Sequence, residues 1–167
     1  MTQTFSHVDA EGNVQMVDVG HKQNTQRIAL VEAFVEVNEH TMLLLKNAAL
    51  PKGDVLTTAK IAGIMAAKRT AELIPLCHPL ALSYADIRFE VRHCTIRIEA
   101  EVRTNGATGV EMEGIIAAQT AAATIYDMCK AVQKDIIIRN VRLLKKTGGK
   151  SGIFTATSPT PAPAEQC

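Results

Sequence analysis

The sequence predicts an α+β fold: a ferredoxin-like, split β-α-β antiparallel sheet with helices on one face, plus one extra short helix. Two observations carry this. Residues 95–104 alternate with the two-residue period of a half-buried strand, Ile96, Ile98, Ala100 and Val102 facing one way and Arg97, Glu99, Glu101 and Arg103 the other. Helical segments then fall on either side of a two-strand hairpin, which gives the order β-α-β-β-α-β.

Each element has its own warrant. Residues 27–37 alternate as a strand with Ala29, Val31, Ala33, Val35 and Val37 on one face. Thr41–Leu50 is the extra short helix, stopped by Pro51. Asp54 can cap a longer helix over 55–73. Strands at 82–92 and 95–104 form the hairpin, turning at His93-Cys94. Thr108 and Glu111 stand at capping-box spacing and open an alanine-rich helix reaching Gln133. Its face of Ala117, Ala118, Ala121, Ala122 and Ala123 lets another backbone come close, from the sheet or from a partner subunit. A last strand, 136–144, is broken at Thr147-Gly148-Gly149. The division is a flexible arm (1–24), one domain (25–155) and a disordered Ser/Thr/Pro/Ala tail (156–167), whose removal after Phe154 should cost neither stability nor activity.

Composition narrows the function. A chain of 167 residues, 47% hydrophobic with net charge +1, can bury a real core and has no global basic field to draw it to nucleic acid or anionic membrane. Lys68, Arg69, Asp127 and Lys130 interrupt every apolar run of membrane-spanning length, and the N-terminus lacks a secretory signal pattern. A cytoplasmic protein with reduced thiols is expected, since Cys77, Cys94, Cys129 and Cys167 are scattered and form no CxxC. Zinc at Cys77-His78 is disfavoured, because adjacent side chains point apart and no second ligand pair exists. No GxGxxG is present, and Gly148-Gly149-Lys150-Ser151-Gly152 lacks the Walker spacing, leaving a basic loop able to close on phosphates.

Asp127, Lys130 and Lys134 share one helical face. Such a stripe is ordinarily solvated surface. Here Ile125, Met128, Ala131 and Val132 read as buried, so Asp127 and Lys130 emerge at the edge of a packed surface, where a carboxylate and an ammonium can tune each other's proton affinity. His78 precedes Pro79 and is therefore biased towards an extended, exposed turn. Lys52, Lys68, Arg69, Lys146 and Lys150 are candidate phosphate ligands.

Leu76-Cys77-His78-Pro79-Leu80, Gly109-Val110-Glu111-Met112-Glu113 and Tyr126-Asp127-Met128-Cys129-Lys130 resemble the molybdenum cofactor biosynthesis protein C family, the cyclic pyranopterin monophosphate synthases. So do Lys52-Gly53-Asp54, Ala66-Ala67-Lys68-Arg69 and Gly148–Gly152, in the same order, and the likeness runs from about Met16 to Phe154. It implies the same ferredoxin-like fold and a homohexamer, a trimer of dimers. It implies a lyase that turns (8S)-3′,8-cyclo-7,8-dihydroguanosine 5′-triphosphate into cyclic pyranopterin monophosphate and pyrophosphate. By that resemblance Asp127 is the active-site residue, with Lys130 as its acid–base partner. Leu76, Cys77, His78, Met112 and Glu113 are then substrate contacts, and Lys52 and Lys146 are the strongest triphosphate candidates. Contacts at Leu76, Cys77 and Met112 would run through backbone, and Glu113 would accept from the guanine edge. No resident cofactor or metal is implied, although Mg²⁺ can accompany the triphosphate.

Two other readings fare worse. An RNA-binding module of this fold needs aromatics on its central strands, and only Phe89 lies well within the hairpin. A structural oligomer that had lost catalysis would show erosion at Asp127, Lys130 and His78, yet all three are present.

Overall fold

A computed structural model of the chain describes residues 7–9 and 11–157, so most of the expected tail lies outside the described residues. The elements are β1 (Thr25–Glu36), α1 (Glu39–Lys46), α2 (Val55–Ala67), α3 (Thr70–Leu73), β2 (Leu82–Val91), β3 (Thr95–Gly106), α4 (Glu111–Cys129), β4 (Ile137–Thr147) and β5 (Phe154–Thr155). The strands form one five-stranded sheet in the order β2-β3-β1-β4-β5, with every neighbouring pair antiparallel. The β2-β3-β1-β4 part is the split βαβ arrangement the sequence predicts. The two-residue β5 is an addition to it.

The core lies between one face of this sheet and helices α2 and α4. Ala29, Val31, Ala33 and Val35 of β1 and Ile96, Ile98 and Ala100 of β3 are wholly buried there, as are Ala118, Ala121, Ala122 and Ile125 of α4. Small residues bring these layers unusually close. A Cβ on Gly63 of α2 would lie 2.1 Å from Ile87 Cδ1 and 2.7 Å from the Ala117 carbonyl oxygen. A Cβ on Gly114 of α4 would lie 2.8 Å from Val31 Cγ2. The alanine face thus serves the chain's own sheet and α2, except at Ala123, which is exposed.

The opposite sheet face carries charges in place of helices. Glu32, only 1% exposed, receives Arg97 at 3.0 Å and Arg142 at 2.9 Å, while Arg88 donates to both Glu99 and Glu101. A buried carboxylate persists because it is paired on both oxygens.

Several boundaries differ from expectation. The 55–73 helix breaks at Lys68-Arg69, where the buried Thr70 hydroxyl donates back to the carbonyls of Ala66 and Ala67. The capping box does not form. Val110 is the cap residue and no side chain caps α4, because the Glu111 carboxylate is held by Lys146 instead. The same helix stops at Cys129, and Gln133 turns away to accept the Asn38 backbone N–H through its Oε1. Asp54 does cap α2, accepting from Thr57 N at 3.0 Å. Cys77 and Cys129 are free thiols, whereas Cys94 is disulfide-bonded, against the expectation of reduced cysteines. Among the described residues no helix is long and apolar enough to cross a membrane.

Gly63 sits inside a helix, where alanine would ordinarily gain up to ~1 kcal/mol. The close approach reverses that sign. Gly63→Ala is expected to destabilise the protein by about 1–3 kcal/mol, read as a lower urea midpoint at unchanged m-value. An unchanged or raised midpoint would refute the account of tight layer packing.

Candidate active site

The start of α4 builds one half of the site. α3 ends at Leu73, the Cys77 N–H closes a turn onto the Ile74 carbonyl at 3.1 Å, and the chain passes through His78 and Pro79 outside any helix or strand. This lays Leu76, Cys77 and His78 beside Met112 and Glu113 around a cavity of about 370 Å³. The five contacts implied by resemblance therefore share one space. His78 is half-buried, and its Nε2 lies 2.9 Å from the Val17 carbonyl oxygen. A carbonyl only accepts, so Nε2 carries the proton.

Glu113 and Cys77 in this cavity are both shifted toward their neutral forms. Burial raises the Glu113 carboxyl, and the neighbouring Glu111 charge adds to the effect. Burial also raises the Cys77 thiol, with Glu113 contributing. Cys77 is therefore no thiolate nucleophile at neutral pH.

A second cavity of about 380 Å³ adjoins the first, and both are lined by Lys22, Thr108, Gly109 and Glu111. Its remaining cations are Arg27, Lys146 and Lys150. Lys146 faces this space because of a register shift. β4 pairs Leu143 with Val31 and Lys145 with Leu30, so Leu144 is an extra residue. Without that bulge Lys145 would stand opposite Ala29 on the helix face and Lys146 would turn to the other side. With it, Lys146 Nζ reaches Glu111 Oε1 at 2.7 Å. Arg27 is held by donating to the carbonyls of Gly106 and Ala107, each at 3.3 Å. Behind it Gly149, at φ 73°, leaves room that a Cβ would take, 1.5 Å from Arg27 Nη1. Sequence reasoning missed Arg27 and Lys22. Arg27 continues the odd-numbered core face of β1, which was a usable signal; Lys22 had none.

Asp127 and Lys130 lie elsewhere. They form an ion pair of 2.8 Å at the end of α4, and Lys52 completes a trio by donating to Asp127 at 2.7 Å. Asp127 and Glu113 are fourteen residues apart on α4, roughly 21 Å along its axis. Lys52 thus stands apart from Lys146, and the two triphosphate candidates do not meet within the chain. Ala131, expected to be buried, is exposed, and among the described residues Lys134 is bonded only through its carbonyl, which accepts from the Tyr126 hydroxyl at 3.1 Å. Lys68 and Arg69 border a further hollow of about 280 Å³ on the other side of Glu113. Among the described residues no three His, Cys, Asp or Glu side chains gather as a metal site.

Hydrogen bonds from Lys130 and then Lys52 hold the Asp127 carboxyl down at about 2. Lys130 is raised in return, chiefly by its bond to Asp127. Asp127 is consequently ionised at neutral pH. The pairing stabilises the fold above the ordinary value of 3.8, and that contribution fades as pH falls through about 2.

A profile of the MoaC family matches residues 16–149, which takes in both halves of the site. The chain belongs to the MoaC family. It is 73% identical over 154 residues to a protein of Nitratidesulfovibrio vulgaris named cyclic pyranopterin monophosphate synthase, covering 91% of this chain and 96% of that one. Proteins of the same name from Desulfovibrio desulfuricans and Oleidesulfovibrio alaskensis are 69% and 61% identical. Each of those alignments covers 93% of this chain, with 97% and 99% of the relative.

Removing either lysine should release Asp127. Lys130→Ala and Lys52→Ala are each expected to move its carboxyl upward from about 2 toward 3.8, followed by carboxyl NMR titration. A titration left unmoved in both variants would contradict the trio.

Proposed function

We propose that the chain is an enzyme making cyclic pyranopterin monophosphate from (8S)-3′,8-cyclo-7,8-dihydroguanosine 5′-triphosphate, with release of pyrophosphate, in molybdenum cofactor biosynthesis. The observation that carries this is the pair of joined cavities. One is lined by Leu76, Cys77, His78, Met112 and Glu113, whose carboxyl is shifted by burial toward its neutral form, and suits an aminopyrimidinone; the other is lined by four cations and suits phosphates. The names and identities of the relatives support the same reading.

The rearrangement opens and rebuilds rings, so protons must move on and off carbon, nitrogen and oxygen. It also requires an alkoxide to attack the α-phosphorus while pyrophosphate departs. Lys146, with Lys150 and Arg27, is placed to neutralise the charge that develops on the leaving pyrophosphate. Leu76, Cys77 and Met112 contact the base through their backbone groups. Asp127 and Lys130 are the proposed acid–base pair. A Mg²⁺ ion, where present, travels with the triphosphate. The ligand is a small molecule rather than nucleic acid, and the protein works in the cytoplasm.

The two halves are proposed to meet between subunits. A single nucleotide cannot touch the start of α4 and a trio roughly 21 Å away along it. Two-fold packing of α4-bearing faces sets the start of one helix near the end of another. Ile61, Met65 and Leu73, all exposed on α2 and α3, supply apolar surface for such self-association, within a homohexamer built as a trimer of dimers.

Asp127→Asn and Lys130→Ala are each expected to lower turnover by ~10²–10⁴-fold with the oligomer intact. A variant keeping more than about a tenth of the rate would remove that residue from the chemistry. Anaerobic incubation with the cyclised triphosphate, followed by pyrophosphate release, is the assay. Cys77→Ser should be mild, since its thiol stays protonated; a dead variant would reopen a role for sulfur. Mixing inactive His78→Ala and Asp127→Asn proteins under subunit exchange should restore activity, because some mixed pairs regain one intact site. Verified exchange without recovery would place both residues in one chain's site.

A further inference from the structure

We propose that Cys94 and the chain's last residue, Cys167, are a thiol–disulfide pair whose oxidation ties the C-terminal segment to the far end of the sheet. Cys94 is disulfide-bonded, while Cys77 and Cys129 are free. The sequence holds four cysteines in all, so within one chain the sulfur that Cys94 bonds belongs to Cys167, which lies outside the described residues. Cys94 lines neither of the joined cavities, and the pair is independent of the functional reading above.

Strand direction and reach both allow the bond. β5 pairs antiparallel with β4, Phe154 opposite Lys146 and Thr155 opposite Lys145, and the Ala156 N–H donates to the Leu144 carbonyl at 2.8 Å. The chain therefore leaves β5 heading toward the Ile137 end of β4. At that end Glu36 of β1 pairs with Ile137 on one side and Thr95 on the other, and Cys94 immediately precedes Thr95 in the β2–β3 turn. The offset from Leu144 to Ile137 is roughly 23 Å at strand rise, and crossing from β5 over β4 and β1 to β3 adds roughly 14 Å sideways. The separation is then about 27 Å. Eleven residues follow Ala156. A proline-rich stretch of that length spans about 34 Å. The reach is sufficient, with little slack.

The turn is suited to thiol chemistry. The Arg92 N–H donates to the Thr95 carbonyl at 2.8 Å and the Val37 N–H donates to the Cys94 carbonyl at 3.0 Å, so the backbone that carries the sulfur is held from both sides. His93 Nδ1 lies 3.8 Å from Cys94 Sγ. An imidazole there can take the proton the thiol must lose, because only the thiolate attacks a disulfide. His93 Nε2 in turn lies 3.9 Å from a Glu39 oxygen. Cys94 is only 7% exposed, which screens it from bulky reagents and favours a thiol tethered to the same chain.

The oxidation balances by exchange with a low-molecular-weight disulfide such as glutathione disulfide. One protein thiolate attacks the small disulfide and expels one small thiol. The other attacks the resulting mixed disulfide, expels the second small thiol and closes the Cys94–Cys167 bond. Two protein thiols are oxidised and one small disulfide is reduced to two thiols. Disulfides in a cytoplasmic protein are uncommon and chiefly redox-responsive, so in the proposed setting the bond is a switch rather than a permanent staple. Closing it makes one ring of residues 94–167, which keeps the two-residue β5 against β4 and restricts the unfolded chain. Removal of the tail is then without cost only in the reduced protein.

The test uses the full chain, equilibrated anaerobically with reduced or oxidised glutathione and quenched with N-ethylmaleimide, beside Cys94→Ser and Cys167→Ser. Intact mass should show all four cysteines alkylated in the reduced protein. After oxidation only Cys77 and Cys129 should carry the label, with the peptides of Cys94 and Cys167 joined in a non-reducing map. The urea midpoint of the parent should rise on oxidation and stay fixed in both variants. Cys167→Ser keeps that comparison available should the buried Cys94→Ser fold poorly. Alkylation of all four thiols after oxidation would overturn the proposal. So would a cross-link from Cys94 to Cys77, to Cys129 or to a second chain, the last seen as a doubled mass on a non-reducing gel. A Cys94–Cys167 bond that left the midpoint unmoved would overturn its role in holding the fold.

Discussion

The closeness with which α4 lies against β1 and α2 fixes everything else. Gly63 and Gly114 remove the side chains that would hold these layers apart, and Ala117, Ala118, Ala121 and Ala122 complete a seam without bulk. Dispersion falls steeply with separation, so such a seam resists sliding or tilting. The 19 residues of α4 therefore act as a rigid bar. Its first turn delivers Glu111, Met112 and Glu113 to the Leu76–His78 turn, and its last turn holds Asp127 against Lys52. Neither end can move to meet the other.

Local irregularities then aim the cations. The extra Leu144 in β4 turns Lys146 toward Glu111, and the left-handed glycine at 149 leaves a slot for the Arg27 guanidinium. A chain of net charge +1 thereby gathers Lys22, Arg27, Lys146 and Lys150 around one cavity. Whole-chain charge is silent about such focusing, because the field a ligand meets is set within about a Debye length, ~8–10 Å, of the site. The sheet's far face balances the account with Glu32, Glu99 and Glu101, paired among arginines away from the cavities.

The fold was legible because its signals were periodic. Alternation in β1 and β3 identified both the strands and the face that is buried, and Asp54 caps α2 as its position suggested. Misreadings fell where one side chain had two partners to choose from. Glu111 could have capped its own helix but bonds Lys146, a residue 35 positions away that the sequence does not place nearby. Thr70 could have continued a helix but closes α2 with its hydroxyl. The motifs singled out the Leu76–His78 and Met112-Glu113 strings, whereas their meeting around one cavity, and the position of Lys52 beside Asp127, came only with three-dimensional packing. A bulge one residue long decides whether Lys145 or Lys146 faces the cavity, and neither lysine carries a local mark of it.

The two carboxylates at the ends of α4 are driven in opposite directions. Burial favours a protonated Glu113, while Lys130 and Lys52 hold Asp127 ionised near 2. Such divergence is how two like groups take the roles of acid and base in one reaction. An aspartate near 2 is nonetheless a poor proton acceptor, since a base works best when its pKa approaches the working pH. In the proposed two-chain site this difficulty has a physical resolution. Lys52 and Lys130 are exposed cations, and an incoming triphosphate competes for both of them. Each ammonium drawn onto a phosphate oxygen withdraws a hydrogen bond from Asp127 and raises its proton affinity. Binding and activation are then coupled: the phosphates that anchor the substrate also free the base. On that proposal the Lys52–Asp127–Lys130 trio is what the phosphates would take apart, Asp127 giving up its partners to them.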